Sequence, residues 1–125
     1  MNEKSSLSRK ELGRRAEEIA AQYVQDEHYG AIVRNWRCRT GELDIVAEQD
    51  GVLVFIEVRS RRQTGSFGTP EESVDLRKQR QVRSTAEVYM QQNRMHGRSA
   101  RFDVITVRFD SAGQFLRLDH YPNAF

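Results

Sequence analysis

One cysteine, Cys38, stands among 125 residues, which excludes an internal disulfide framework and a zinc site built from several thiolates. No apolar run approaches the roughly 18 residues of a membrane-spanning helix. Met1 to Lys10 has no apolar stretch of the kind a secretory signal needs. Histidine is scarce, and His28, His96 and His120 have no ligand-like spacing. Lysine is scarcer than arginine. Of 20 basic residues only Lys4, Lys10 and Lys78 are lysines, which leaves 17 arginines. With signal, span and disulfides missing, a cytoplasmic protein with no membrane partner is expected.

What is present suits one domain. Hydrophobic residues make up 38% and charged residues 30%, with a net charge of +2. A chain of this length buries roughly 65% of its unfolded surface, enough for a core without staples. Arginine's planar fork suits bidentate phosphate contact, although codon bias accounts equally well for the excess. Position is more informative than number. Arg34, Arg37 and Arg39 form one group, Arg59, Arg61 and Arg62 a second, and Arg77, Lys78, Arg80 and Arg83 a third, so basic surface is expected locally.

Residues 1–8 read as a flexible arm and 9–125 as a single α/β domain. Ser8-Arg9-Lys10-Glu11 is a capping box. Leu12, Ala16, Ile19, Ala20, Tyr23 and Val24 follow at helical spacing, with Gly30 as the stop. Strands are expected at Ala31 to Cys38, Glu42 to Glu48 and Val52 to Arg59, the last two joined by Asp50-Gly51, a type I′ hairpin signal. Ser60 to Thr69 reads as an exposed, mobile loop. A second helix should begin between Ser73 and Asp75 and end near Asn93. Strands at Phe102 to Phe109 and Phe115 to Tyr121 complete the chain. The first three strands can form an antiparallel meander, and the helix after them is a crossover that makes the fourth strand parallel to a neighbour. A mixed sheet flanked by helices follows, in the order α-β-β-β-α-β-β.

A two-residue turn at Asp50-Gly51 fixes the hairpin register. Ile45 then faces Ile56, Leu43 faces Val58 and Ala47 faces Val54 on one apolar face. On the other, Val46 meets Phe55, Asp44 meets Glu57 and Glu42 meets Arg59. Opposed side chains lie roughly 4.5–5.5 Å apart at Cβ, where like charges destabilise. Glu57 ends the run Val52-Leu53-Val54-Phe55-Ile56, which reads as a strand buried on both faces. Three things relieve the repulsion: a divalent cation bound by both carboxylates, protonation of one, or neutralisation by arginines. Hard oxygen ligands favour Mg²⁺ or Mn²⁺. Arg59 is either a rim ion pair with Glu42 or a cation placed to hold a phosphoryl oxygen. It cannot serve as a general base. Trp36 reads as a half-buried strand aromatic and Cys38 as a small packing residue without activation.

Gly41-Glu42-Leu43-Asp44-Ile45-Val46 and Val54-Phe55-Ile56-Glu57-Val58-Arg59-Ser60-Arg61 resemble the YraN-type uncharacterised bacterial proteins. Those are similar in turn to PD-(D/E)XK, or restriction-endonuclease-like, nucleases and to archaeal-type Holliday-junction resolvases. Gly13-Arg14-Arg15-Ala16-Glu17, Arg34-Asn35-Trp36-Arg37 and Phe102-Asp103-Val104-Ile105 extend the likeness over nearly the whole chain. The resemblance implies a restriction-endonuclease-like fold and a metal-dependent nuclease core, with Asp44 and Glu57 as ligands and Arg59 at the usual lysine position. Glu17 matches the first-helix acid that completes the metal site in related nucleases. Its place at the edge of the apolar stripe lets it reach the sheet while Glu18 faces water. Lys78 and Gln79 match polar second-helix residues that reach the active site, and Lys78 can replace the missing strand lysine. DNA, including branched or structured forms, is the implied partner, held by Arg37, Arg39, Arg61, Arg62, Arg77, Arg80 and Arg83. A non-catalytic nucleic-acid-binding module and a protein-interaction adaptor remain open beside it.

Overall fold

A computed structural model of the chain describes residues 8–62 and 74–125. The first helix, α1, is Arg9–Asp26. Both halves of the capping box form: Glu11 N donates to Ser8 Oγ at 3.1 Å and Ser8 N to Glu11 Oε1 at 2.9 Å. Leu12, Ala16, Ala20 and Val24 form its buried stripe. The helix stops at Asp26, four residues before the expected Gly30. His28 takes the left-handed position (φ 65°) that ends it, and Tyr29 N closes back on Val24 O at 3.2 Å.

Among the described residues, five strands form one sheet in sequence order: β1 Gly30–Cys38, β2 Gly41–Gln49, β3 Val52–Arg62, β4 Ala100–Phe109 and β5 Phe115–Tyr121. The pairs β1–β2, β2–β3 and β4–β5 are antiparallel, and β3–β4 is parallel. The crossover between β3 and β4 contains α2, Leu76–Gln92, N-capped by Asp75, whose Oδ1 accepts from Lys78 N at 2.8 Å. The expected α/β mixed sheet with its helix crossover is therefore the architecture. Asp50 (φ 52°) and Gly51 (φ 80°) both take the positive φ of a type I′ turn, and Ile45 faces Ile56, Val46 Phe55 and Ala47 Val54.

Two expectations about β3 and its partner need correction. Ser60, Arg61 and Arg62 belong to β3, not to a loop, because parallel β4 gives them partners in Val107, Arg108 and Phe109. The rest of the expected mobile loop, 63–69, and the arm's residues 1–7 lie outside the described residues. The hairpin register also stops short: its ladder ends at Ile45–Ile56. Leu43, expected on the same face as Ile45, packs instead with Val46, Leu53 and Phe55 against Val82, Ala86 and Tyr89 of α2. The alternation breaks at Asp44, opposite Asn35 of β1, which sits at φ 53°. Beyond the break Asp44 Oδ2 accepts the Val58 N–H at 2.9 Å, in the place where a β2 carbonyl would continue the ladder.

The sheet is covered on both sides. The stripe of α1 packs on Ile45, Ala47, Val54, Ile56, Val58, Ile105, Val107 and Phe109, and α2 covers the other face over β2 and β3. Gly41 (φ 153°) permits the close approach of α2: a Cβ there would lie 3.0 Å from Gln81 Nε2 and Thr85 Oγ1. That contact holds α2 over the start of β2, next to Asp44.

Candidate functional site

Leu53 and Phe55 face α2 while Val54, Ile56 and Val58 face α1. Alternation along β3 then places Glu57, Arg59 and Arg61 on the α2 face. Glu57 is 2% exposed at the point where the apolar run ends. Lys78, in the first turn of α2, brings Nζ to 3.7 Å from Glu57 Oε1. Burial first, and then the Asp44 charge, push Glu57 up to about 8, against the opposing pull of Lys78 and Arg59. Asp44 is also raised by burial, although the Val58 N–H and Lys78 favour its charged form. Two carboxylates thus share a site, Glu57 buried and Asp44 half-buried, with one amine beside Glu57.

Glu17 reaches this centre from α1, half-buried as its helix position implied, while Glu18 is exposed and pairs with Arg34 at 3.1 Å. Burial, then Asp44 and Glu42, raise the Glu17 pKa. With its amide oriented by its surroundings, Asn35 donates to Glu17 Oε1 at 3.1 Å and to Glu42 Oε2 at 3.3 Å. Asn35 was given no role from the sequence. The signal for it is its residue type, since asparagine is among the few side chains that accept the left-handed backbone needed opposite Asp44.

Among the described residues, no three His, Cys, Asp or Glu side chains form a group able to hold a metal ion. Glu17 approaches the pair without completing a three-carboxylate cage. Glu42, expected opposite Arg59, pairs with Arg37 Nε at 3.4 Å. Arg59 instead faces Thr106 across the parallel ladder, and its Nε is buried without a hydrogen-bond partner among the described residues. Gln79 turns its amide to the Val74 carbonyl at 2.8 Å, fixing the entry into α2.

The arginines separate by task. Arg37, Arg39, Arg77 and Arg80 are exposed. Arg83 lies over the rings of Phe102 (4.7 Å) and Phe125 (5.6 Å). Arg61 Nη1 donates to Ser60 O at 2.9 Å and Arg62 Nη1 to Ser111 O at 2.8 Å. Trp36 packs edge-on against Tyr89 at 5.2 Å, as a half-buried strand aromatic. Cys38 differs from its expectation: contact with the Thr40 hydroxyl at 3.1 Å lowers the thiol pKa.

A polar cluster on the α1 face was not foreseen. Asp103, 0% exposed, accepts from Arg101 Nε (3.1 Å) and from the Asn123 N–H (3.0 Å), and lies 2.8 Å from His120 Nε2. The Nδ1 of His120 meets Tyr23 OH at 2.9 Å. It pins β4, β5 and α1 together.

No helix among the described residues is long and apolar enough to cross a membrane. The model of a family described as "Uncharacterised protein family UPF0102" matches residues 16–107. The UPF0102 protein of Desulforamulus reducens is 45% identical over 121 residues, covering 95% of this chain and 98% of that protein. That of Geobacter metallireducens is 41% identical over 120 residues, 96% of each. That of Myxococcus xanthus is 40% identical over 125 residues, 100% of this chain and 97% of the relative.

Proposed function

The chain belongs to the UPF0102, or YraN-type, family, and from its carboxylate site we propose that it is a metal-dependent nuclease acting on DNA, including branched or structured forms. The observation that carries the proposal is the Asp44–Glu57 pair, Asp44 half-buried and Glu57 2% exposed, with Glu57 pushed up to about 8. A second carboxylate beside a buried first one weakens a fold unless positive charge offsets both. Lys78 supplies one charge at 3.7 Å.

The donor set fits a hard divalent cation. Mg²⁺ is commonly held by one or two carboxylates together with water and substrate phosphate, so Asp44 and Glu57 suffice as its protein ligands, with Glu17 behind them. When bound, such a cation polarises a phosphoryl oxygen and makes a water acidic enough to attack phosphorus. The chain's own residues set the rest. Glu57 must lose its proton before it can act as a ligand, so metal binding should strengthen as pH rises. Lys78 places an amine against Glu57, where it can orient water and carry a proton. Arg59 carries a guanidinium, and its role is to hold negative charge. Arg37, Arg39, Arg77 and Arg80 are exposed and available to a phosphate backbone.

One observation favours a non-catalytic DNA-binding module instead: a guanidinium, not an amine, occupies position 59. A cleavage screen over linear, flapped and four-way DNA with Mn²⁺ decides between them. Cleavage that disappears with Asp44→Asn supports the nuclease. Salt-sensitive binding without cleavage of any form assigns the binding module, and neither activity overturns both.

A further inference from the structure

The two outer strands of the sheet present different edges. Along β1 the edge is interrupted: Ala31 (φ 47°) and Asn35 (φ 53°) take left-handed backbone, and the pairing with β2 shifts between Gly30 and Val33. Irregularities of this kind keep an edge from accepting another strand. The edge of β5 is not protected in this way. From Arg117 to Tyr121 its ladder with β4 is regular, and among the described residues no strand pairs with its other side. It carries no Pro and no Lys, the residues that commonly blunt an edge. Phe115 (47% exposed) and Leu116 (44% exposed) stand at its start, with their apolar surface in water.

The neighbouring ladder fixes which backbone groups point out from that edge. Ser99 O, just before β4, accepts from Leu53 N of β3, and Phe102 O accepts from Ala124 N beyond β5. Odd-numbered residues of β4 therefore bond toward β3 and even-numbered ones toward β5. Arg117, Asp119 and Tyr121 face Arg108, Thr106 and Val104, so they bond inward. The N–H and C=O groups of Leu118 and His120 point outward. A second, antiparallel β5 can meet these groups in registers centred on Arg117, Leu118 or Asp119. The first sets Arg117 against the partner's Arg117, and the third sets Asp119 against the partner's Asp119; like charges directly opposed destabilise both. Only the register centred on Leu118 sets Arg117 against the partner's Asp119, twice over. The Arg117 side chain is 62% exposed and free to reach across. Within one chain Arg117 Nη2 donates to Asp119 Oδ1 at 2.6 Å, while Asp119 Oδ2 is buried and has no partner among the described residues. The carboxylate thus has one guanidinium at Oδ1, and pairing of two strands brings a second to the same side.

We propose that the outer edge of β5 docks a second copy of this chain, antiparallel and in register at Leu118, to form a two-fold dimer with one continuous sheet. Leu118 exchanges both backbone hydrogen bonds with the partner's Leu118. Arg117 and Asp119 form cross-strand ion pairs with the partner's Asp119 and the partner's Arg117, four charges that alternate in sign. Leu116 comes beside the partner's His120, which removes part of its apolar surface from water. The two-fold axis of such a pairing is perpendicular to the sheet, so both Asp44–Glu57 pairs lie on the same side of it. The interface itself is independent of the nuclease reading. One strand pairing is a small contact, so the association is weak, with a dissociation constant on the order of 10 µM.

Sedimentation equilibrium of the full chain, from well below to well above that concentration, should show a monomer–dimer equilibrium. Arg117→Glu sets like charges against the partner's Asp119, and Asp119→Lys does so against the partner's Arg117. Each dimer would hold two such pairs, so either variant alone should self-associate about ten-fold more weakly. Mixed in equal amounts, the two variants should dimerise with one another, because each supplies the charge the other lacks. Amide exchange followed by NMR on the ¹⁵N-labelled unmodified chain gives a second readout. The Leu118 and His120 amides should exchange more slowly as concentration rises, whereas those of Arg117 and Asp119, already bonded to β4, should change little. A chain that stays monomeric throughout overturns the proposal. So does a dimer in which the Leu118 and His120 amides exchange at a rate independent of concentration, since the contact then lies elsewhere. Two folded variants that fail to associate when mixed overturn the register. The amide rates are read on the unmodified chain, so they decide even if a variant fails to fold.

Discussion

Replacing Glu57 with glutamine should stabilise the metal-free protein at neutral pH. Glu57 titrates near 8 in the folded chain against an ordinary 4.5. A raised carboxyl pKa means that the fold is favoured while the group is protonated. That advantage is complete below about pH 4.5 and is lost as pH rises toward 8. At about 1.36 kcal/mol per pH unit, the interval from 4.5 to 7 corresponds to about 3 kcal/mol. Glutamine copies the protonated shape and has no charge to form. Little of the Lys78 contact is given up at pH 7, since Glu57 in the unmodified fold is still mostly protonated there. In EDTA, urea unfolding of the two proteins should therefore give equal stabilities near pH 4. Glu57→Gln should be ahead by up to about 3 kcal/mol at pH 7, or about 10 °C in melting temperature for a domain of this size. A Glu57→Gln protein less stable than the unmodified chain at pH 7 would contradict the electrostatics. It would mean that Glu57 stays ionised in the fold, held by Lys78.

Asp44→Asn should abolish Mn²⁺-supported cleavage while leaving DNA affinity nearly unchanged in a binding assay, because it removes a ligand and not the basic surface. Arg59→Lys should change the cleavage rate little and Lys78→Ala should remove most of it, if the amine beside Glu57 is the working one; the opposite ranking would return that role to position 59. Asp103→Asn should cost about 3 kcal/mol in urea unfolding, as expected when one partner of a buried charge pair is lost. Burial opposes the Asp103 charge, but the bonds from His120, Arg101 and the Asn123 N–H outweigh it and lower its pKa. Its contribution should accordingly hold at neutral pH and fade only as acid titrates the group below its ordinary value.

How far the sequence could be read depended on whether a contact is local. The capping box at Ser8 and Glu11, the turn at Asp50-Gly51 and the register beside it are set by neighbours a few residues apart, and all were legible. So was the apolar stripe of α2 at Val82, Ala86 and Tyr89. The register failed beyond Ile45–Ile56, where the backbone of Asn35 and the side chain of Asp44 replace regular pairing with the Asp44–Val58 bond. No period in the sequence marks that exchange. Ser60 to Arg62 looked like loop because the residues are polar, yet their strand identity comes from β4, which enters the chain forty residues later. The proximity of Lys78 and Glu57 was legible as a possibility, since the α2 stripe extends toward the helix start. The Asp103–His120–Tyr23 cluster was not, because its members lie 17 and 97 positions apart and meet only through the order of the sheet.

The central claim is that Asp44 and Glu57 together hold a divalent cation, and Mn²⁺ binding followed by electron paramagnetic resonance tests it most directly. Titrating the unmodified chain should deplete the free-Mn²⁺ signal at a stoichiometry of about one, more tightly at pH 8 than at pH 6 because Glu57 must release its proton. Asp44→Asn and Glu57→Gln should each leave the free signal undiminished. Mn²⁺ uptake that is the same in both variants, or absent from the unmodified chain in the presence and absence of DNA, would contradict the metal site.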